Sequence, residues 1–211
     1  MLSDVGRLLR SYGALLRKVY NRIKAAWLWM RWYGLFRPER SVKLPDKVAS
    51  VLFVCKGNIC RSPLAEVYFR SRLTSGCGIT VWSAGLDTTD GKPAHPLAKA
   101  VAELHGLTLD KHRTTQITRE MVDKADVIFV MELTQLTSLV KLCPRIKDKT
   151  YVLSQINGSG MADIADPFSG TIDDFHACLK LIRDSCDNLV TQIQLGNREY
   201  CDVTVSSGPF G

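Results

Sequence analysis

Between Val54 and Pro63 the chain reads Val-Cys-Lys-Gly-Asn-Ile-Cys-Arg-Ser-Pro, and its cysteine and arginine suit one chemical task. Five residues separate Cys55 from Arg61, a spacing that lets a small loop wrap a tetrahedral oxyanion. A thiolate at the start of such a loop is a nucleophile. Loop N–H groups, a helix N-terminus, the Arg61 guanidinium and the Ser62 hydroxyl all favour its negative charge. Arg61 presents a planar fork that can hold two phosphoryl oxygens, which a lysine cannot copy. Gly57 permits close backbone approach, and Asn58 tolerates the left-handed region better than most residues. With Lys56, Ile59 and Cys60 these residues are expected to bind the anion. The chemistry predicted is transfer of a phosphoryl group to sulfur.

The elements needed to hold such a loop are legible around it. An apolar run over residues 48–54 feeds Cys55 directly, and Ser62-Pro63 opens a helical pattern at Leu64, Val67 and Tyr68. Pro63 suits a first turn, where its missing N–H is not needed. Strand, tight loop and helix N-terminus together make an anion site. Farther along, strands are predicted over 49–55, 79–83, 125–131 and 150–154, with helices over 62–74, 96–105, 133–142 and 172–195. This alternation implies an α/β fold: a small doubly wound parallel sheet of about four strands with helices on both faces. Ligands bind such sheets at the carboxyl ends of the strands, where Cys55 falls.

The loop resembles the signature of the low-molecular-weight protein tyrosine phosphatases, and further segments agree in order. They are Ser83-Ala84-Gly85, His105-Gly106-Leu107, His112 with Gln116-Ile117-Thr118, Met131-Glu132 and Asp166-Pro167-Phe168. The resemblance covers residues 48–195 and implies a phosphotyrosine hydrolase that uses no metal or other cofactor. Cys55 would form a phosphocysteine, Arg61 would bind the phosphoryl group, and Asp166 would protonate the leaving phenolate and later activate water. Asp163, three residues upstream, is the competing carboxylate. Phe168 would lie against the substrate ring, in place of the family's usual Tyr. Ser83 and His112 would support the Asn58 side chain. Cys60 would either form a reversible disulfide with Cys55 or fill space at the helix start. No partner is evident for His95, His105 or His176, for which surface or core packing is expected.

Three other readings share the loop. Arsenate reductases of this type need two more cysteines in mid-chain, and none lies between Cys77 and Cys143. Arginine phosphatases of the family tend to carry Thr where this chain has Ile59, whose apolar branch suits a phenyl ester better. An inactive phosphate-binding adaptor is disfavoured by the intact Cys55, Arg61 and Asp166.

The 211 residues suit one domain plus an extension, read as 1–47 extension, 48–195 phosphatase domain and 196–211 flexible tail. Residues 1–47 hold eleven Lys/Arg against three Asp/Glu, net +8, so the remainder of a +7 chain is 7 − 8 = −1. Over residues 5–36 apolar side chains recur at helical spacing, with arginines between them and Trp27, Trp29, Trp32 and Tyr33 near the end. Such a basic amphipathic helix suits an anionic membrane surface. Packing on the domain, an acidic partner and an organellar presequence are its rivals. Nucleic acid is not expected, because no recognition motif accompanies the charge. Seven cysteines, an odd number without zinc spacing, point to a reducing compartment. The expected location is cytoplasmic, peripheral on the inner membrane face. The expected partner is a tyrosine-phosphorylated protein, with a membrane-bound tyrosine kinase as the family analogy.

Overall fold

In the computed structural model, residues 42–74, 77–158 and 163–206 are described, with side chains as far as residue 196. The chain divides into two units, Met1–Arg40 and Ser41–Gly211. The amphipathic helix expected over residues 5–36 lies outside the described residues.

Strand β1 (Ser50–Cys55) is buried along its whole length. It pairs in parallel with β2 (Thr80–Gly85) on one side and β3 (Val127–Val130) on the other, and β3 pairs with β4 (Thr150–Val152). The sheet order is therefore β2-β1-β3-β4. Alternate side chains of a strand point to opposite faces, and the core divides accordingly. Val51, Phe53 and Cys55 join Val127 and Phe129 in the main core cluster, while Leu52, Val54, Ile128 and Val130 are equally buried outside it.

The helices follow from their apolar spacing. Helix α1 (Arg61–Arg72) buries Leu64, Ala65, Tyr68 and Phe69. Helix α2 (Pro96–Leu104) buries Ala98, Val101 and Ala102. Both pack against α5 (Ile172–Ser206), whose Phe175, Leu179, Ile182, Cys186 and Leu189 are fully or nearly buried. Phe53 locks strand to helix, its ring 5.5 Å from Phe69 and 6.0 Å from Phe129. Helix α4 (Leu133–Leu142) covers β3 and β4 with Leu136, Leu139 and Val140.

Three differences from the sequence reading have physical causes. Helix α3 (Arg119–Lys124) was not foreseen, because its six residues bury only Val122 and show no period. Its signal lay in Thr118, whose side chain accepts from the Met121 N–H as an N-cap. The last helix does not stop at residue 195 but continues through Gly196 to Ser206. Glycine weakens a helix without ending it, no proline follows until Pro209, and Gly196 packs against the chain at Asp46. Val42 and Leu44, counted with the extension, pack on the core, and the Lys43 carbonyl accepts from the Tyr151 hydroxyl. Smaller shifts move the strand ends: 79–83 becomes Thr80–Gly85, while 150–154 is strand only to Val152 and a 3-10 turn follows (Leu153–Asn157).

Candidate active site

The order β2-β1-β3 places the carboxyl end of β1 between two strands reached by opposite crossovers, the usual ligand position in open parallel sheets. Cys55 is the last residue of β1 and Arg61 the first of α1, so residues 56–60 form the loop between them. Helix α1 begins without a side-chain cap and without an acidic residue in its first turn. Its terminal N–H groups are thus left for an anion.

Asn58 holds the loop in shape. It is fully buried and is the one non-glycine among the described residues with positive φ, at 53°. Its Nδ2 donates to Ser62 Oγ and Ser83 Oγ, both at 2.9 Å. Its Oδ1 accepts from the Thr115 N–H, and its carbonyl lies 2.8 Å from His112 Nε2, which must therefore carry the proton. Ser83 thus meets the Asn58 side chain, whereas His112 meets its backbone carbonyl. Ser83 Oγ in turn donates to Glu66 Oε2 at 2.6 Å. Ser83 can then only accept from Asn58, which fixes the direction of the chain. Ser62 Oγ also accepts from Asn58, so its own proton is shared between Cys55 Sγ at 3.0 Å and the more distant Ala84 carbonyl at 3.4 Å. The Asn58 N–H reaches the same sulfur at 3.2 Å.

Arg61 is only 1% exposed. Its Nη1 donates to Glu132 and, at 2.9 Å, to the Ile164 carbonyl, while Nη2 donates to Asp166 Oδ2 at 2.6 Å. The hydrogen bond to Glu132 and the negative groups around it outweigh burial and keep its pKa raised. Among the described residues its buried Nε has no hydrogen-bond partner. A buried donor without a partner costs about 1–3 kcal/mol, so this N–H suits a ligand oxygen.

Asp166 and Asp163 now separate. Asp166 pairs with Arg61 and borders the cleft, whereas Asp163 accepts from the Leu133 N–H and caps α4. The cleft over the loop is about 220 Å³, walled by Cys55, Lys56, Ile59, Asp87, Asp166 and Phe168 among others. A larger cleft of about 490 Å³ lies between α1 and residues 106–112. No cysteine lines it, and it lies away from the Cys55 loop. Phe168 is 55% exposed, as a wall awaiting an aromatic ring would be.

Cys60 is buried at the base of the loop, and burial pushes its thiol pKa up. Cys55 and Cys60 are both free. Cys178, buried beneath them, is pushed up to about 12, chiefly by burial. His95 has partners that sequence reading did not find: it caps α2 through Nδ1, stacks on Phe175 at 5.0 Å and meets Phe168 edge-on at 5.6 Å. His105 accepts from Arg183 and lies near His176 on the surface. Two other residues were missed, Glu132 and Asp87. Each follows the carboxyl end of a strand, a positional signal available from the predicted order of elements.

A parallel α/β sheet that delivers a cysteine into an anion-binding loop closed by a buried arginine defines a cysteine-dependent phosphatase scaffold. Residues 50–198 match the family model for low molecular weight phosphotyrosine protein phosphatase, and the chain belongs to that family. It is 34% identical over 147 residues to a probable low molecular weight protein-tyrosine-phosphatase, EpsP, of Ralstonia nicotianae, covering 70% of this chain and 97% of the relative. It is also 34% identical over 144 residues to a protein-arginine-phosphatase of Geobacillus stearothermophilus, covering 68% and 95%. The solved YwlE arginine phosphatase of that organism superposes with a TM-score of 0.68 at 33% identity, covering 72% of this chain and 96% of that one. The tyrosine phosphatase AmsI of Erwinia amylovora gives 0.64 at 32% identity, covering 69% and 93%.

Proposed function

We propose that the protein hydrolyses phosphotyrosine on protein substrates, with Cys55 as nucleophile, Arg61 as phosphate binder and Asp166 as general acid and base. The observation that carries this is Arg61: a buried guanidinium whose Nε has no partner among the described residues, at the helix start that closes the Cys55 loop. A phosphoryl dianion takes that N–H together with the loop amides, and Cys55 Sγ attacks phosphorus in line with the leaving oxygen. The dianion also competes with Asp166 for Arg61 and adds negative charge beside it. Released from Arg61, the carboxyl can turn to the leaving oxygen and deliver the proton the phenolate needs. Water activated by Asp166 then releases phosphate from sulfur.

The choice of phenyl ester over phosphoarginine rests on the cleft wall. Ile59 and Phe168 present apolar surface to the substrate, and Ile59 offers no hydroxyl to a guanidinium. Relatives of both kinds stand at similar identity, so the wall is the discriminating feature. The test is hydrolysis of phosphotyrosine, phosphoserine and phosphoarginine peptides side by side in EDTA. Turnover of phosphotyrosine is expected to vanish in Cys55→Ser and to fall about a hundred- to ten-thousand-fold in Asp166→Ala. Preference for phosphoarginine would overturn the reading of Ile59.

The same proposal puts the enzyme on the cytoplasmic face of an anionic membrane through residues 5–36, within reach of a membrane-bound tyrosine kinase. Its support is the Arg-rich amphipathic pattern with clustered Trp. Among the described residues no helix is long and apolar enough to cross a membrane. Co-sedimentation of the full chain with phosphatidylserine vesicles, and its loss without residues 1–40, is the expected result. Equal sedimentation of both forms would end the idea.

A further inference from the structure

The segment after β2 is fastened to the phosphate loop at every step. The Leu86 N–H donates to the Cys55 carbonyl and the Asp87 N–H to the Lys56 carbonyl, both at 2.9 Å. Gln116 clamps the same segment from the other side, accepting from the Thr88 N–H at 2.9 Å and donating to the Leu86 carbonyl at 3.0 Å. Gly85 makes this close seating possible: a Cβ there would stand 2.8 Å from Thr88 Cγ2 and 3.1 Å from the Lys56 carbonyl oxygen. Asp87 is therefore held at a fixed place, and that place is the wall of the catalytic cleft.

Its carboxylate is exposed and has no ion-pair or hydrogen-bond partner among the described residues. Lys56 shares the wall and forms no ion pair with it. An unpaired negative charge at the mouth of a dianion site opposes the substrate it must admit. The opposition ends when the substrate brings its own cation.

Resting on the phosphotyrosine reading above, we propose that Asp87 is a specificity determinant, selecting phosphotyrosine sites flanked by lysine or arginine. The bound peptide places its phosphoryl group in the Cys55 loop and its flanking ammonium or guanidinium against Asp87. Because Asp87 is held by backbone hydrogen bonds, little ordering entropy opposes the contact. Discrimination is electrostatic, so it acts on kcat/KM and weakens as salt rises.

The experiment compares two phosphotyrosine peptides, identical except for lysines or glutamates beside the phosphotyrosine, at low and high salt. Wild type, Asp87→Asn and Asp87→Lys are run together, with Lys56→Gln to separate the other charge on the wall. Wild type is expected to favour the lysine peptide about fivefold or more in kcat/KM at low salt, with the preference shrinking as salt screens it. Asp87→Asn should level the preference and Asp87→Lys should invert it, while Lys56→Gln should leave its direction unchanged. A wild type indifferent to flanking charge, or a preference unaltered in both Asp87 variants, would overturn the proposal. Failure to hydrolyse either peptide would remove the phosphotyrosine reading and this inference with it, and so marks a different fault.

Discussion

Asn58 and its neighbours show how single residues set the chemistry. A residue at φ 53° is strained unless its surroundings insist on it, and here Ser62, Ser83, Thr115 and His112 all do. His112 makes this arrangement sensitive to pH. Burial is the foremost influence and lowers its pKa below the ordinary 6.5, partly offset by the Asn58 carbonyl and Glu66. The unfolded chain therefore binds the proton more readily than the folded one in that window. Stability from this group is fully present above 6.5 and is lost as pH falls through the lower folded value. The melting temperature should drop on acidification through that range, and His112→Gln, which keeps an N–H donor, should flatten the drop. An unchanged slope of melting temperature against pH in that variant would show that another group is responsible.

At the scale of elements, the site depends on two segments packed closer than side chains normally allow. The residue after Ala84 must be glycine, since a methyl group there would overlap Thr88 and crowd the Lys56 and Gly57 backbone. Gly85→Ala is expected to destabilise by about 1–3 kcal/mol through this overpacking. Its effect on phosphotyrosine turnover should exceed that of the exposed change Lys141→Ala in α4. Urea unfolding and steady-state kinetics on the same preparations check both halves. The sequence pattern carried the long elements well, because β1, α1, α2 and α5 repeat their apolar spacing over many residues. It did not reveal α3, whose single buried Val122 leaves no period to read. It also ended α5 too early, because a lone glycine resembles a stop signal when its packing against Asp46 is not visible.

For the whole molecule, the domain that carries the site begins before the sequence reading placed it. Val42 and Leu44 pack on the core and Lys43 ties to Tyr151. A chain starting at residue 48 should therefore be about 1–3 kcal/mol less stable than one starting at residue 42, read by thermal unfolding. Equal melting of the two would show that these contacts contribute little. What the sequence alone determined is the family, legible in the loop from Cys55 to Arg61 and the ordered segments that follow it, and the sheet class, which follows from alternating periods. Tertiary structure decided what depends on meetings between distant segments. Glu132 reaches Arg61 across 71 positions, Asp163 is taken up by a helix cap, and Asp87 is set on the cleft wall by bonds to the Cys55 loop. No local pattern records such pairings, because the free energy that selects them comes from burial and hydrogen bonding between elements, which exist only once the sheet has formed.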